Sequence, residues 1–449
     1  MDRFTRQRSQ KTSPGTTFRV LDVFCGAGGI SQGFRQAGFQ IVAGVDSDPD
    51  ALATFALNFP EARVIHGDLR DEGVSRQVLE VASGIDVLVG GPPCQAFSQV
   101  RNHSRLIDDP RNRLYRQFIA ILKQSRPIAF LMENVTGIDQ LRVREQILDD
   151  LAVEGEYDVR AQVVDAADFG VPQSRRRLLF LGVRRGLGIS APTLKGTGAT
   201  SSIALRRETS RHGSRYAVFA QEGLLGIGSL LDALRDPRDT SVVSVRDAIE
   251  DLNFLEPGRR CDEIEMREIP EPTSAYQRSM RAGAGAILQN VQVPRSQADT
   301  VIRLGEIPVG GNHRDLAPEF LDRYLTGQKW GQSNGSGKLS RRHFYAYRRL
   351  HPEMWAWTLN TKADAVYHYS TARALSVREF ARLQSFPDRF VITVDARGGP
   401  IAGRVDGGAA HSRYRQVGNA VPVLLAMAAA SDLQKLLATV VPDAERKSA

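Results

Sequence analysis

The chain is poor in cysteine, with three in 449 residues (Cys25, Cys94 and Cys261). No CxxC pair or Cys/His cluster is present, so neither a zinc site nor a disulfide framework is expected. No apolar run reaches the roughly 18 residues that a membrane-crossing helix needs, and none is expected. The first 17 residues are polar and basic, without the apolar segment of a secretory leader; they are expected to form a flexible tail on a cytoplasmic protein. Internal repeats and long low-complexity segments are also missing. What remains is ordinary globular composition, 42% hydrophobic and 24% charged, which excludes a disordered or collagenous chain. The length suits two or three domains. Lys and Arg number 59 against 51 Asp and Glu, a net charge of +8. That excess suits a polyanionic partner such as nucleic acid, and equally a merely soluble surface.

From about Phe18 to Val183 short apolar runs alternate with helical patterns. Strands are expected at Phe18–Phe24, Phe39–Val45, Ile85–Val89, Ile128–Met132 and Arg177–Val183. Several are apolar on both faces, as strands under helices are. Helices are expected at Gly29–Ala37, Pro49–Phe59 and Leu114–Gln124. Asp48 before Pro49 makes an N-cap and first turn, and Gly38 stands where the first helix stops. The rhythm predicts an α/β fold with a doubly wound, mostly parallel sheet. It fails after about Leu187, where Gly, Ser, Thr and Arg dominate. A smaller, irregular second domain is expected there, before Ser376 and Glu379 open a helix as a capping box and an apolar helix, Val421–Leu437, closes the chain.

The first strand runs into Phe24-Cys-Gly26-Ala-Gly28-Gly29. Glycines at a strand-to-helix turn let a ligand approach backbone N–H groups; the alternative is a tight structural turn. Asp46 ends the next strand, where an acid can bind ribose hydroxyls, and Asp68 could meet an adenine amino group. The GxGG order and the lack of basic residues fit a nucleoside without phosphates, such as S-adenosylmethionine, at least as well as a dinucleotide. Gly90-Gly-Pro92-Pro93-Cys94-Gln95 follows another strand. Cys94 in this proline-braced loop is a candidate nucleophile or a small buried hydrophobe. Glu133 follows an apolar strand and is a candidate proton donor, or else an N-cap or surface ion pair. In Gln173-Ser-Arg175-Arg176-Arg177, alternation places Arg175 and Arg177 on one face and Arg176 on the other. Such a pair suits phosphate or carbonyl oxygens; a solvated face is the alternative.

Together with Arg378-Glu379…Arg382-Leu383-Gln384-Ser-Phe386-Pro387 and Gln416-Val-Gly418-Asn419-Ala420-Val421-Pro422, these motifs stand in the order and spacing of the DNA (cytosine-5) methyltransferases. The chain resembles that family over about Phe18–Val183 and Tyr367–Ala430, and its look is that of bacterial restriction-modification methylases. The resemblance implies methyl transfer from S-adenosylmethionine to C5 of a flipped-out cytosine in a specific duplex DNA sequence. Cys94 would add to C6, because C5 is a poor nucleophile until a thiolate makes the ring enamine-like. Glu133 would serve ring N3; Arg177 and Arg175 would hold O2. Phe24, Gly26, Gly28, Gly29, Asp46, Asp68, Pro92, Asn419 and Val421 would bind the cofactor, with no metal.

The same resemblance makes Gln95–Arg113 the mobile loop over the flipped base, with Gln95, Ser98, Gln173 and Thr358 on the DNA. It divides the chain into tail (1–17), catalytic part (18–188), target-recognition domain (189–366), returning catalytic part (367–440) and tail (441–449). The partner would be double-stranded DNA, bound by a monomer at the nucleoid, with a companion restriction endonuclease acting separately. Two family features differ here. Trp355-Ala-Trp357-Thr358-Leu359 stands for the usual Pro-x-Pro-Thr-Leu, and His368-Tyr369-Ser370 for a His-Pro pair. A tRNA substrate is disfavoured by the length of 189–366. A non-enzymatic relative is disfavoured by the intact Cys94, Glu133 and Gln-x-Arg-x-Arg, and a nicotinamide oxidoreductase by the GxGG order.

Overall fold

The computed structural model describes residues 17–93, 113–136, 141–202, 243–317, 347–395 and 408–440. Its centre is a seven-stranded sheet in the order β3-β2-β1-β4-β5-β7-β6. The strands are β1 (Arg19–Val23), β2 (Gln40–Asp46), β3 (Arg63–His66), β4 (Val87–Gly90), β5 (Ala129–Val135), β6 (Tyr157–Asp165) and β7 (Arg176–Arg184). Every pairing from β3 to β5 is parallel, and β7 runs antiparallel between β5 and β6. The expected doubly wound sheet is therefore present. β3 and β6 escape the strand expectations. β6 carries half-buried polar residues along most of its length and lacks the apolar run that marks the central strands.

Helices α1 (Gly29–Gln36), α2 (Pro49–Asn58), α3 (Glu72–Ala82), α4 (Arg113–Ser125) and α5 (Leu141–Ala152) cover the two faces. Local chemistry sets several of their ends. Asp48 caps α2 by accepting the Asp50 N–H, with Pro49 in the first turn. Gly38 (φ 95°) follows α1 in the left-handed conformation that ends a helix. Alternation along β1 sends Val20 into one apolar core and Leu21 and Val23 into the other.

The chain's far end completes the first core. α9 (Val377–Leu383), opened by a full Ser376/Glu379 capping box, precedes α10 (Gly408–Asn419) and α11 (Val423–Leu437). α11 lies against α1 so closely that a Cβ at Gly33 would stand 2.6 Å from the Ala426 Cβ and 2.7 Å from the Val423 carbonyl. One expectation needs amending here. By length and mean hydropathy (1.4), His411–Leu437 is apolar enough to cross a membrane. In this fold its apolar residues, among them Val423, Leu425, Ala429 and Leu433, are buried in the protein core.

The described residues of the region 189–366 contribute to more than one apolar cluster. Its helices α6 (Val245–Ile249) and α7 (Ala275–Arg281) send Val245, Ile249, Tyr276 and Met280 into the main core, as does the stretch from Leu350 to Leu359. A small satellite core forms around β8 (Glu263–Glu265) and β9 (Ile287–Gln289), from Leu252, Ile264, Leu288 and Val293. The part near α6, α7 and 350–359 is therefore continuous with the catalytic core. These segments carry apolar side chains that only the main sheet's flanking helices can cover.

Candidate functional site

β1 and β4 are neighbours, and the chain turns away in opposite directions from them. The crevice beyond their C-terminal ends is where doubly wound sheets bind ligands. Both glycine-containing segments found in the sequence, after β1 and after β4, open there. They line one cleft of about 650 Å³.

At one end of the cleft the β1–α1 turn is shaped by backbone geometry. Phe24 adopts φ 62° and Gly26 φ 52°. The Gly26 N–H donates to Asp46 Oδ2 at 2.8 Å, and the Asp48 N–H to Asp46 Oδ1 at 2.9 Å. The acid at the end of β2 is thus fixed by two peptide donors, and burial raises its pKa. Asp46, Asp68, Phe24, Gly26, Gly29 and Pro92 all line the cleft, joined from the far end of the chain by Asn419 and Val421. The Arg70 guanidinium grips Asp68 and holds its pKa below the usual carboxylate value.

The glycines divide their labour. Gly28 does not line the cleft. It caps α1 at φ 95°, and a Cβ there would strike the rings of Phe59 and Phe55 at 2.6 and 3.1 Å. The absence of a side chain there lets α1 start close against α2. Gly29 lines the cleft and also permits close approach of the returning chain, since a Cβ would lie 2.4 Å from the Val421 carbonyl.

At the other end, β5 runs through Glu133 to Val135 instead of stopping at Met132. Glu133 Oε1 pairs with Arg177 Nε at 2.6 Å, both side chains being only 12% exposed. The Gly-Pro-Pro segment abuts this pair. A Cβ at Gly91 would be 3.1 Å from Glu133 Oε2, and Asn134 Nδ2 donates to the Pro92 carbonyl at 3.3 Å. The described chain stops at Pro93; Cys94, Gln95, Ser98 and the loop 95–112 lie outside the described residues.

The three arginines of 175–177 alternate as expected. Arg177 and Arg175 line the cleft, while Arg176 lines a separate cavity with Asp165 and Asp168. Arg175 differs from Arg177 in its partners. It is buried, and its Nη1 and Nη2 donate to the Leu359 and Gly418 carbonyls at 2.9 and 2.7 Å. Gln173 is likewise turned inward. Its amide accepts the Leu359 N–H and donates to the Leu383 carbonyl and Gln384 Oε1, leaving nothing for DNA. Thr358 remains on the exposed surface, with its hydroxyl donating to the Ser174 carbonyl.

Ser47, Asp48, Leu114 and Gln416 also line the cleft and were not singled out from the sequence as site residues. The first two directly follow the ribose-type acid, which was a usable signal. Gln416 is held by Thr54 and the Thr393 carbonyl, which no spacing reveals. Near the glycine turn the lining is acidic (Asp46, Asp48, Asp68), and among the described residues the arginines that line the cleft, Arg175 and Arg177, stand at the Glu133 end. That polarity disfavours a pyrophosphate by the turn and suits a nucleoside bearing a cationic sulfonium.

A family model described as C-5 cytosine-specific DNA methylase matches residues 18–435. The chain is 29% identical to the Type II methyltransferase M1.HphI of Haemophilus parahaemolyticus, over 93% of its own length and 86% of the relative's. It is 30% identical to M.AgeI of Thalassovita gelatinovora, over 93% and 99%. Among solved structures, a prophage-encoded E. coli protein assigned to the DNA modification methyltransferases shares the fold, with a TM-score of 0.63 at 23% identity, covering 94% of this chain and 99% of that one.

Proposed function

The chain belongs to the C-5 cytosine-specific DNA methylases and is a DNA cytosine-5 methyltransferase, and from that premise we propose how it works and what it serves. The target cytosine leaves the duplex and enters the Glu133 end of the cleft, since a stacked base is out of reach. S-adenosylmethionine, held by Asp46, Asp68 and the β1–α1 turn, supplies the methyl group on its sulfonium. The Cys94 thiolate adds to ring C6, which makes C5 the nucleophile; the C5–methyl bond would form as the methyl–sulfonium bond breaks, leaving S-adenosylhomocysteine as the neutral leaving group. Glu133 supports N3 while Arg177, paired with it at the same end of the cleft, holds O2. A base then removes the C5 proton, and the C6–S bond breaks to release thiolate and 5-methylcytosine. No residue of this chain calls for a metal in these steps.

The observation that carries this reading is that a single cleft holds the acid-and-glycine cradle at one end and the largely shielded Glu133–Arg177 pair at the other, and is also lined by Pro92 and Pro93, which directly precede Cys94 in the sequence. The relatives' designation as Type II methyltransferases supports a role in protecting host DNA from a cognate restriction endonuclease; that the protein acts as a monomer in the cytoplasm is part of the proposal. The test has two stages. Bisulfite sequencing of host DNA with and without the protein identifies the methylated sequence. A duplex carrying 5-fluorocytosine at that position should then remain covalently joined to the wild-type protein, because fluorine cannot be abstracted as a proton. Cys94→Ser should give no joined species and methyl transfer at the assay background. Joined species with Cys94→Ser, or none with a protein that methylates the same sequence, would overturn the mechanism.

A further inference from the structure

The inward-turned Gln173-Ser-Arg175 segment joins two parts of the molecule that meet different ligands in the reading above. On one side is the stretch 358–361, exposed at Thr358 and Asn360. On the other is the turn Gly418–Val421, whose Asn419 and Val421 line the cofactor end of the cleft. The Arg175 guanidinium spans them, one nitrogen on the Leu359 carbonyl and the other on the Gly418 carbonyl. The two stretches also touch directly: a Cβ at Gly418 would stand 2.0 Å from the Asn360 carbonyl oxygen. Gln173 reinforces the junction, accepting the Leu359 N–H at 2.9 Å and reaching Gln384, which in turn donates to the Val417 carbonyl at 2.9 Å. Among the described residues no carboxylate makes an ion pair with Arg175, so this cation sits buried with carbonyl acceptors as its hydrogen-bond partners. Desolvation and the nearby Arg177 outweigh the field of Glu133 on this buried guanidinium, so stability alone explains its placement poorly.

We propose that Arg175 is a positioning residue that couples DNA binding to cofactor binding: ordering of 358–361 by the duplex is transmitted through its two carbonyl bonds to the Gly418–Val421 turn, so each ligand tightens the other. The physical basis is shared ordering. A junction already immobilised by one ligand loses less freedom when the second binds, and the coupling is reciprocal by linkage. The proposal rests on the reading that 358–359 meets DNA and that Asn419 and Val421 meet the cofactor.

The experiment measures the dissociation constant of S-adenosylhomocysteine by calorimetry, alone and with saturating cognate duplex. It uses the wild type, Arg175→Lys and Gly418→Ala. The readout is the ratio of the two constants. The wild type should show a ratio of at least about fivefold, the lower range of common allosteric couplings. Arg175→Lys keeps the charge but cannot span both carbonyls, and its ratio should fall below about twofold, whatever its affinity without DNA. Gly418→Ala forces the same junction apart with Arg175 intact and should lower the ratio too. A merely structural role would weaken binding equally with and without DNA; an unchanged ratio in both variants overturns the proposal, as does a wild-type ratio of one. If the wild type binds no S-adenosylhomocysteine at all, the cofactor reading itself falls, and the proposal with it.

Discussion

The cofactor end of the cleft and the junction around α9 are both rich in polar side chains, yet they are built on opposite principles. At the cofactor end the work is done by backbone and short range. Asp46 is held by two peptide N–H groups, from Gly26 and Asp48, and its neighbours are glycines. At the junction three arginines, Arg373, Arg378 and Arg382, are fully buried and tie together segments far apart in the chain. Arg382 pairs with Asp388 and with Asp251, 131 positions away, and Tyr276 donates to its carbonyl. Arg373 grips Glu379 through both oxygens at 2.8 Å, and Glu379 is also the capping-box acid of α9. Polar motifs of this kind look alike in a sequence. One set leaves acceptors facing a cavity, whereas the other satisfies itself internally and is architecture.

Three perturbations test that contrast. The largest effect should come from Arg382→Met, which leaves Asp251 and Asp388 buried without their shared cation. Removing one partner of a buried network costs about 3–5 kcal/mol, so denaturant unfolding should show a large fall in the midpoint. A loss within the range of exposed ion pairs would show that the network is not structural. Next is Asp46→Asn, aimed at the cofactor end. It should weaken S-adenosylhomocysteine binding by about 10- to 100-fold, the worth of one charge-assisted hydrogen bond, while the unfolding midpoint barely moves. Equal losses of stability and affinity would erase the distinction between the regions.

The smallest effect sits beneath the cofactor turn. Asp22, on the α1 face of β1, is fully buried and accepts the Ser31 hydroxyl at 2.6 Å, and burial pushes its pKa up to about 7. A carboxyl raised in the folded state binds its proton more tightly there than when unfolded. Its contribution to stability is therefore full below about pH 4 and is lost as the pH rises to about 7. Asp22→Asn should leave the melting temperature near wild type at pH 5 and raise it by a few degrees at pH 8, on the scale of about 2–4 °C per kcal/mol. A melting difference that does not vary with pH would mean that Asp22 does not titrate in this range.

How much of this was legible beforehand follows the same division. The β1–α1 turn, the Asp48 cap, the Gly38 stop, the Ser376/Glu379 box and the apolar helix closing the chain were all anticipated, and the structure has them. β6 was missed because apolar and polar residues alternate along Tyr157–Val163 and form no continuous apolar run like those of the central strands, and β3 because four residues are too short to show a period. Gln173 and Arg175 were expected at ligands because their motif accompanies ligand-binding motifs. Their partners, Leu359, Gln384 and Gly418, lie 184 to 243 positions away and leave no trace in local spacing. The region 189–366 was expected to stand apart from the catalytic core because its periodicity is weak, yet its apolar side chains near 245–280 and 350–359 are covered by that core.

The sequence by itself determined the turns, caps and strand ends, and with them the chemistry presented at the sheet's edge, because each depends on hydrogen bonds and steric limits among residues a few positions apart. Only the tertiary structure decided which glycine lines the cleft and which faces a phenylalanine ring, and which arginine pairs with Glu133 and which donates to two distant carbonyls. Those outcomes depend on where distant segments come to rest, and a buried polar group takes whatever partner the closed fold brings to it.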